Sequence, residues 1–84
     1  GNIPHPSLRI SVFHMNDKFI VKFEAGPMEQ VYKFGQDKVS GMADIEKIVD
    51  ETFITNVTKR FRDMIGDMQD AWERRQQAAG QKDV

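Results

Sequence analysis

The residues best suited to metal chemistry are three aspartates near the C-terminal end of the chain. Asp63, Asp67 and Asp70 are spaced four and three residues apart, so they share one face of a helix. Carboxylates at this spacing can hold a divalent cation. A single helix supplies too few oxygen ligands, however, and no loop of the EF-hand type follows. The sequence therefore predicts no metal site and no cofactor.

Catalytic chemistry would have to depend on the histidines, because the chain has no cysteine. His5 lies between two prolines, and His14 falls at the end of a predicted strand. A nucleophile needs a neighbouring base and a group that orients that base, and neither histidine has such partners at a recognisable spacing. The chain also lacks a glycine-rich phosphate loop. We expect His14 to be a partly buried structural residue and the protein not to be an enzyme.

Basic residues lie beside an aromatic residue on what we predict to be the outer face of a sheet. The residues concerned are Arg9, Phe13, Lys22 and Lys33. Such faces bind single-stranded nucleic acid when bases stack on rings and cations contact phosphates. The net charge of -1 and the presence of Glu24 on the same face oppose this interpretation. Binding of single-stranded nucleic acid is therefore the alternative function.

The same outer face carries apolar side chains. Phe13, Ile20 and Val31 alternate with polar residues in their strands and should point away from the core. An exposed apolar patch of this kind is typical of a contact with another protein chain. These residues are candidates for an interface.

The elements that position these residues begin with alternating apolar and polar stretches. Residues 8–15, 18–25 and 28–35 alternate with a period of two and are rich in β-branched and aromatic residues, so each predicts a strand. Asn16-Asp17 and Gly26-Pro27 separate them and are typical of tight turns. The result is a three-stranded antiparallel meander.

The register of the first hairpin follows from its two-residue turn. Opposed residues should have numbers that sum to 33, which places Val12 opposite Val21 and Ile10 opposite Phe23. A shift of one residue would set apolar side chains against polar ones. The second hairpin must keep the same parity, so that Tyr32 falls on the apolar face.

Helical spacing begins after a polar loop. We predict a short helix over 42–50 and a long one over 52–77, with a break near the threonines of 51–55. A single kinked helix is the alternative. We expect Gly80 to end the long helix, and the segments 1–6 and 79–84 to be flexible. The fold class is α+β, a single domain of 84 residues in which both helices pack on one face of the sheet.

The long helix carries an apolar stripe that runs from Phe53 to Trp72. A helix of about 26 residues is roughly 39 Å long, whereas strands of eight residues span only about 27 Å. The helix should therefore extend about two turns beyond the sheet, with the change near Gly66. The interface candidates in that extension are Met64, Met68, Ala71 and Trp72. Alternatively, Met68 and Trp72 fold back on the short helix or on the strand ends.

Size and composition favour a protein that needs a partner. A core built from 84 residues is marginal, and without cysteine no disulfide can supplement it. We predict a small interaction or structural module that forms a homodimer. No apolar run is long enough to span a membrane. A cytoplasmic location is the default expectation, although Gly1 is typical of a cleaved tag and a signal peptide could have been removed with it.

Overall fold

The sheet and the helices follow one another along the chain, as expected for the α+β class. The computed structural model describes residues 1–82, and the side chains of residues 1–79. The elements are β1 (Asn2–Ile3), β2 (Arg9–Met15), β3 (Lys18–Ala25), β4 (Met28–Gly35), α1 (Met42–Ile48) and α2 (Glu51–Lys82). The four strands form one antiparallel sheet in the order β1-β2-β3-β4. The predicted fold class is confirmed, with one additional strand.

The predicted register of the first hairpin is confirmed. Val12 lies opposite Val21, and Ile10 lies opposite Phe23. The second hairpin keeps the same parity, because Ala25 pairs with Met28 across the Gly26-Pro27 turn. All apolar positions of the strands that were assigned to the inner face therefore point toward the helices.

The N-terminal segment, predicted to be a flexible extended lead-in, forms the additional strand. Ile3 pairs with Ile10, and the amide of Val12 donates to the carbonyl of Gly1 at 2.7 Å. Pairing ends before Pro4 because proline has no N–H to donate. The imidazole Nδ1 of His5 then accepts hydrogen bonds from the amides of Ser7 and Leu8, at 3.1 and 2.9 Å, and closes the turn into β2.

Both turns place residues in the left-handed region. Asn16 and Asp17 have φ values of 52° and 60°, which is the conformation of a type I′ hairpin turn. Gly26 has a φ of 58° and precedes Pro27, whose own φ is restricted by its ring. The carbonyl of Asp17 also accepts a hydrogen bond from the amide of Gln36 at 3.1 Å, which joins the turn to the loop after β4.

Asp17 should be a site where a single change stabilises the fold. Asp17→Gly is expected to raise the free energy of unfolding by about 0.5 kcal/mol, because glycine adopts a positive φ without steric cost. Asp17→Val is expected to lower it by about 1–2 kcal/mol, because a Cβ branch is disfavoured there. Urea denaturation of both variants checks this. Equal effects from glycine and valine would contradict the role assigned to the turn.

The core lies between the inner face of the sheet and the two helices. Phe23 is at its centre, with ring centroids 5.7 Å from both Phe53 and Tyr32. Tyr32 and Phe53 meet edge to face at 5.0 Å. The fully buried large side chains are Phe23, Ile10, Ile45, Val21, Val39 and Val57. The helices thus cover the middle of the sheet, where three aromatic rings interlock.

The two helices are separated by Val49 and Asp50, earlier than predicted. The carboxylate Oδ1 of Asp50 accepts a hydrogen bond from the amide of Phe53 at 2.9 Å and caps the first turn of α2. The threonines expected to break the helix instead lie inside it. The hydroxyls of Thr55 and Thr58 donate to backbone carbonyls four residues earlier, each at 2.9 Å. The start of α2 is therefore determined by its cap rather than by helix propensity.

The carboxylate of Asp44 in α1 holds the loop that precedes this helix through hydrogen bonds. The amide and hydroxyl of Ser40 donate to Oδ2 of Asp44 at 2.9 and 2.6 Å. These hydrogen bonds hold the pKa of Asp44 below its ordinary value of 3.8. Because the folded-state pKa is lowered, the contribution to stability is present above pH 3.8 and is lost as the pH falls through the lowered pKa.

α2 is longer than predicted and is fixed to the sheet at its N-terminal half. It continues through Gly80 to Lys82, so residues 79–82 are helical, while residues 83 and 84 lie outside the described part of the chain. The side-chain amide of Gln30 in β4 donates to the carbonyl of Val57 at 2.9 Å. Tyr32 in turn donates to the amide oxygen of Gln30 at 2.7 Å. The remaining length of α2 makes the protein 61 Å long.

Candidate protein interface

Three large apolar side chains of α2 lie on the surface beyond the sheet. Ile65, Met68 and Trp72 are 42%, 51% and 64% exposed. They are spaced three and four residues apart and form one line along the helix, which we call the seam. Every side chain from Ile65 to Ala79 is exposed. The extension is therefore about five turns long rather than the two expected.

The part of the apolar stripe that packs against the sheet ends earlier along α2 than predicted. Phe61 is buried, and Met64 is half-buried and packs against the core. Ile65, which was expected to be covered by the sheet, is already exposed. Of the predicted interface residues in α2, Met64 therefore lies at the edge of the core, whereas Met68, Ala71 and Trp72 are exposed.

An apolar groove adjoins the seam at the end of the sheet. It has a volume of 390 Å³ and lies between α2 and the turn from β3 to β4. Its walls are formed by Ala25, Gly26, Pro27, Met28, Ile65, Met68 and Gln69. Met68 lines this groove but is 51% exposed and does not pack against the core. Trp72 does not line it and remains the most exposed large apolar side chain described.

The acidic side chains of the extension lie away from the seam. Asp63, Asp67 and Asp70 are all more than a quarter turn from it. Asp70 forms an ion pair with Arg74 on that far face. Within residues 1–82 no group of three or more histidine or carboxylate side chains is arranged to hold a metal ion. The side chains that flank the seam are the uncharged Gln69, Ala71, Gln76 and Ala78, together with the charged Arg75.

Gly66 has open space around it in this structure. A Cβ built at Gly66 would have no heavy atom within 4 Å, apart from the local helix backbone. No other backbone of the described chain therefore approaches Gly66 closely. Gly66 also lies a quarter turn away from the seam, on the side opposite Ala71.

Gly66→Ala is expected to raise the free energy of unfolding by up to about 1 kcal/mol, because alanine restricts the unfolded chain and favours the helix. Gly26→Ala is the matched control and should lower the free energy of unfolding. It also has free space around its Cβ position, but its φ of 58° strains an L-residue. Urea denaturation followed by circular dichroism at 222 nm measures both changes. A loss of stability in Gly66→Ala would contradict the open surroundings of this residue.

The outer sheet face carries the second group of predicted residues. Phe13 and Val31 are each 49% exposed, and Ile20 is half-buried between them. Phe13 lies directly opposite Ile20 in the register. The face therefore holds a small apolar patch, as expected from the alternation of the strands.

The basic residues of this face are partly neutralised. Nζ of Lys22 lies 3.6 Å from a carboxylate oxygen of Glu24 and 3.7 Å from one of Glu29. Glu24 and Glu29 face each other across β3 and β4, so Lys22 offsets a repulsion between like charges. Arg9 and Lys33 share the outer face and are exposed. Glu24 thus forms its ion pair with Lys22, although Arg9 is its partner in the register.

The position of His14 differs from the expectation. It shares the inner side of the sheet, as predicted, but it is exposed rather than partly buried. Its ring stacks on that of Phe19, with centroids 4.4 Å apart and planes inclined by 10°. The other histidine, His5, accepts backbone hydrogen bonds through Nδ1. Both imidazoles thus have structural contacts.

The groove is the feature that the sequence did not predict. It requires the Gly26-Pro27 turn to lie beside Met68, and no local pattern links residues more than 40 positions apart. The only available signal was the predicted length of α2 relative to the strands. No helix among residues 1–82 is both long and apolar enough to cross a membrane. Comparisons with family models, curated proteins and solved structures found no match to this chain.

Proposed function

We propose that this protein is an interaction module that forms a homodimer through the part of α2 beyond the sheet. The observation that carries the proposal is the exposed seam of Ile65, Met68 and Trp72 beside an apolar groove. Tryptophan is a frequent centre of binding energy in interfaces, and methionine adapts to irregular partners. The side chains beside the seam are uncharged apart from Arg75, which limits the cost of burying unpaired charge on association.

The surface area of the single chain supports a second copy as the partner. The chain exposes 6332 Å² of accessible surface. A folded monomer of 9.7 kDa is expected to expose about 5,100 Å². The excess of about 1,200 Å² exceeds the roughly 800 Å² that each partner buries in a standard interface. A dimer of this chain could therefore restore an ordinary ratio of surface to mass.

The shape of the chain supports the same proposal. Its radius of gyration is 17.6 Å, whereas a compact domain of 84 residues should have one of about 12 Å. The difference arises because α2 continues far beyond the sheet without contacts to it. Most of the stability of a helix in a protein comes from packing of its apolar face, so cover from another surface would stabilise the extension.

The outer sheet face is a weaker candidate for a binding site than the extension of α2. Its apolar patch is small, and a few scattered apolar residues are normal on a protein surface. Single-stranded nucleic acid would require cations free to contact phosphates, whereas Lys22 is held between two carboxylates. Nucleic-acid binding through Arg9, Phe13, Lys22 and Lys33 stays a prediction from the sequence, and no structural observation favours it.

Sedimentation of the full chain tests the proposal. Over a range of about 1 to 100 micromolar, the mass should rise with concentration toward twice 9.7 kDa. A variant with Ile65→Ser and Met68→Ser should remain at the mass of one chain, because two of the three seam side chains, which also line the groove, become polar. A wild-type protein that stays at the mass of one chain over the whole range would contradict the proposal.

A further inference from the structure

The seam and the groove lie on the same chain at nearly the same level of α2. Groove residues Ile65, Met68 and Gln69 occupy slightly more than one helical turn. Trp72 follows three residues after Gln69 and is 64% exposed. Resting on the proposed homodimer, we infer that Trp72 of each copy occupies the groove of the other, with the two α2 helices antiparallel.

Complementarity of size and polarity favours the indole of Trp72 as the occupant. The groove has a volume of 390 Å³, which exceeds that of an indole ring, and its lining is almost wholly apolar. Trp72 is the single tryptophan of the chain and the most exposed large apolar side chain described. Each copy contributes its single tryptophan and the groove beside its β3–β4 turn, so two reciprocal contacts close a two-fold dimer and leave neither feature free for a third copy.

The position of the groove determines the direction of pairing. If the two-fold axis passes at the level of residue 70, residues 65–69 of one helix face residues 71–75 of the other. Trp72 then lies opposite the groove. In a parallel pair the groove would face residues 65–69 of the other copy, and Trp72 would lie about 5–10 Å farther along the axis. Only the antiparallel arrangement brings the two features together.

Arg75 provides a second argument against the parallel pair. It follows Trp72 by three residues and so occupies the next position on the seam. A parallel pair would set Arg75 against Arg75 of the other copy, which is a repulsive contact between like charges. In the antiparallel pair Arg75 lies at the level of Ile65, where the Gly26-Pro27 turn of the other copy begins. The seam thus becomes polar at the level where the contact between the two helices would stop, because the other copy's sheet begins there.

Contact quenching of tryptophan fluorescence tests the occupant of the groove. The reporter chain is the wild type, whose only tryptophan is Trp72. The quencher chain carries Trp72→Phe and a nitroxide on Pro27→Cys, which is feasible because the protein has no native cysteine. The two chains are mixed under conditions in which the sample sediments as dimers. In each dimer of one reporter chain and one quencher chain, the emission of Trp72 should fall by at least half. A nitroxide on Gln36→Cys, at the opposite end of β4, should leave it unchanged.

Disulfide exchange tests the direction of pairing. Chains with Ile65→Cys and chains with Arg75→Cys are mixed in a glutathione redox buffer. The antiparallel pair should give mainly the mixed disulfide, because positions 65 and 75 face each other. A parallel pair would give mainly the two disulfides between identical positions.

The outcomes separate this inference from the proposed function. A dimer in which neither nitroxide quenches Trp72, or in which identical positions cross-link, overturns the reciprocal arrangement and leaves the dimer in place. A wild-type chain that never dimerises overturns both. Quenching from position 27 together with the mixed disulfide supports both.

Discussion

Phe23→Ala is expected to lower the free energy of unfolding by about 3–5 kcal/mol. Phe23 is fully buried and stacks on Phe53 while meeting the edge of Tyr32. Its removal leaves a cavity where the sheet meets α2, and rigid neighbouring rings cannot fill that cavity. The total stability of a domain of 84 residues is about 4–13 kcal/mol. The variant should therefore lose between about a quarter and the whole of the stability of the fold.

The matched control is Phe13→Ala, in the neighbouring strand. Phe13 is the same residue type but points to the outer face and is 49% exposed. Its replacement is expected to cost less than about 1 kcal/mol. Urea denaturation at one fixed protein concentration measures both, because dimerisation would add a concentration-dependent term. Similar losses in the two variants would contradict the assignment of the inner face as the core.

Trp72→Ala is expected to weaken the dimer strongly and to leave the fold of each chain intact. A tryptophan at the centre of an interface contributes about 2 kcal/mol or more. The reciprocal arrangement contains this contact twice, so the dissociation constant should rise by about a thousandfold. The single chain should keep its unfolding transition, because Trp72 makes no part of the core described above.

Asp67→Ala is the control for this variant. Asp67 lies on the same exposed stretch of α2 but on the far face, away from the seam. Sedimentation equilibrium measures the dimerisation of both variants, and circular dichroism measures their folding. The two measurements together show whether Trp72 belongs to the interface or to the core. Loss of the sheet signal in Trp72→Ala would mean that this side chain supports the fold. An unchanged dimer would mean that the interface lies elsewhere.

The sheet could be predicted because its signals are local. The strict alternation of β2 and β3 around Asn16-Asp17 allows one register, and the chain adopts that register. β1 escaped prediction because the two residues before Pro4 are too few to show a period, and their pairing with β2 depends on tertiary contact. The helix break was misplaced because the Asp50 cap outweighs the weak helix propensity of the threonines.

The surface beyond the sheet was predicted in outline only. The apolar stripe and the short strands together indicated that α2 would extend beyond the sheet. The length of that extension depended on how α2 ends, and Gly80 does not terminate it. The groove joins two distant parts of the chain, so only the structure places the β3–β4 turn beside Met68.

The emission of Trp72 as a function of dilution tests the central claim most directly. Trp72 is the only tryptophan, so its spectrum reports one position on the seam. If a second copy covers the seam, the emission maximum should lie at short wavelength when sedimentation gives a dimer. It should move to that of exposed indole as dilution returns the mass to one chain. An emission maximum that stays at the exposed value throughout the dimer range would contradict the account.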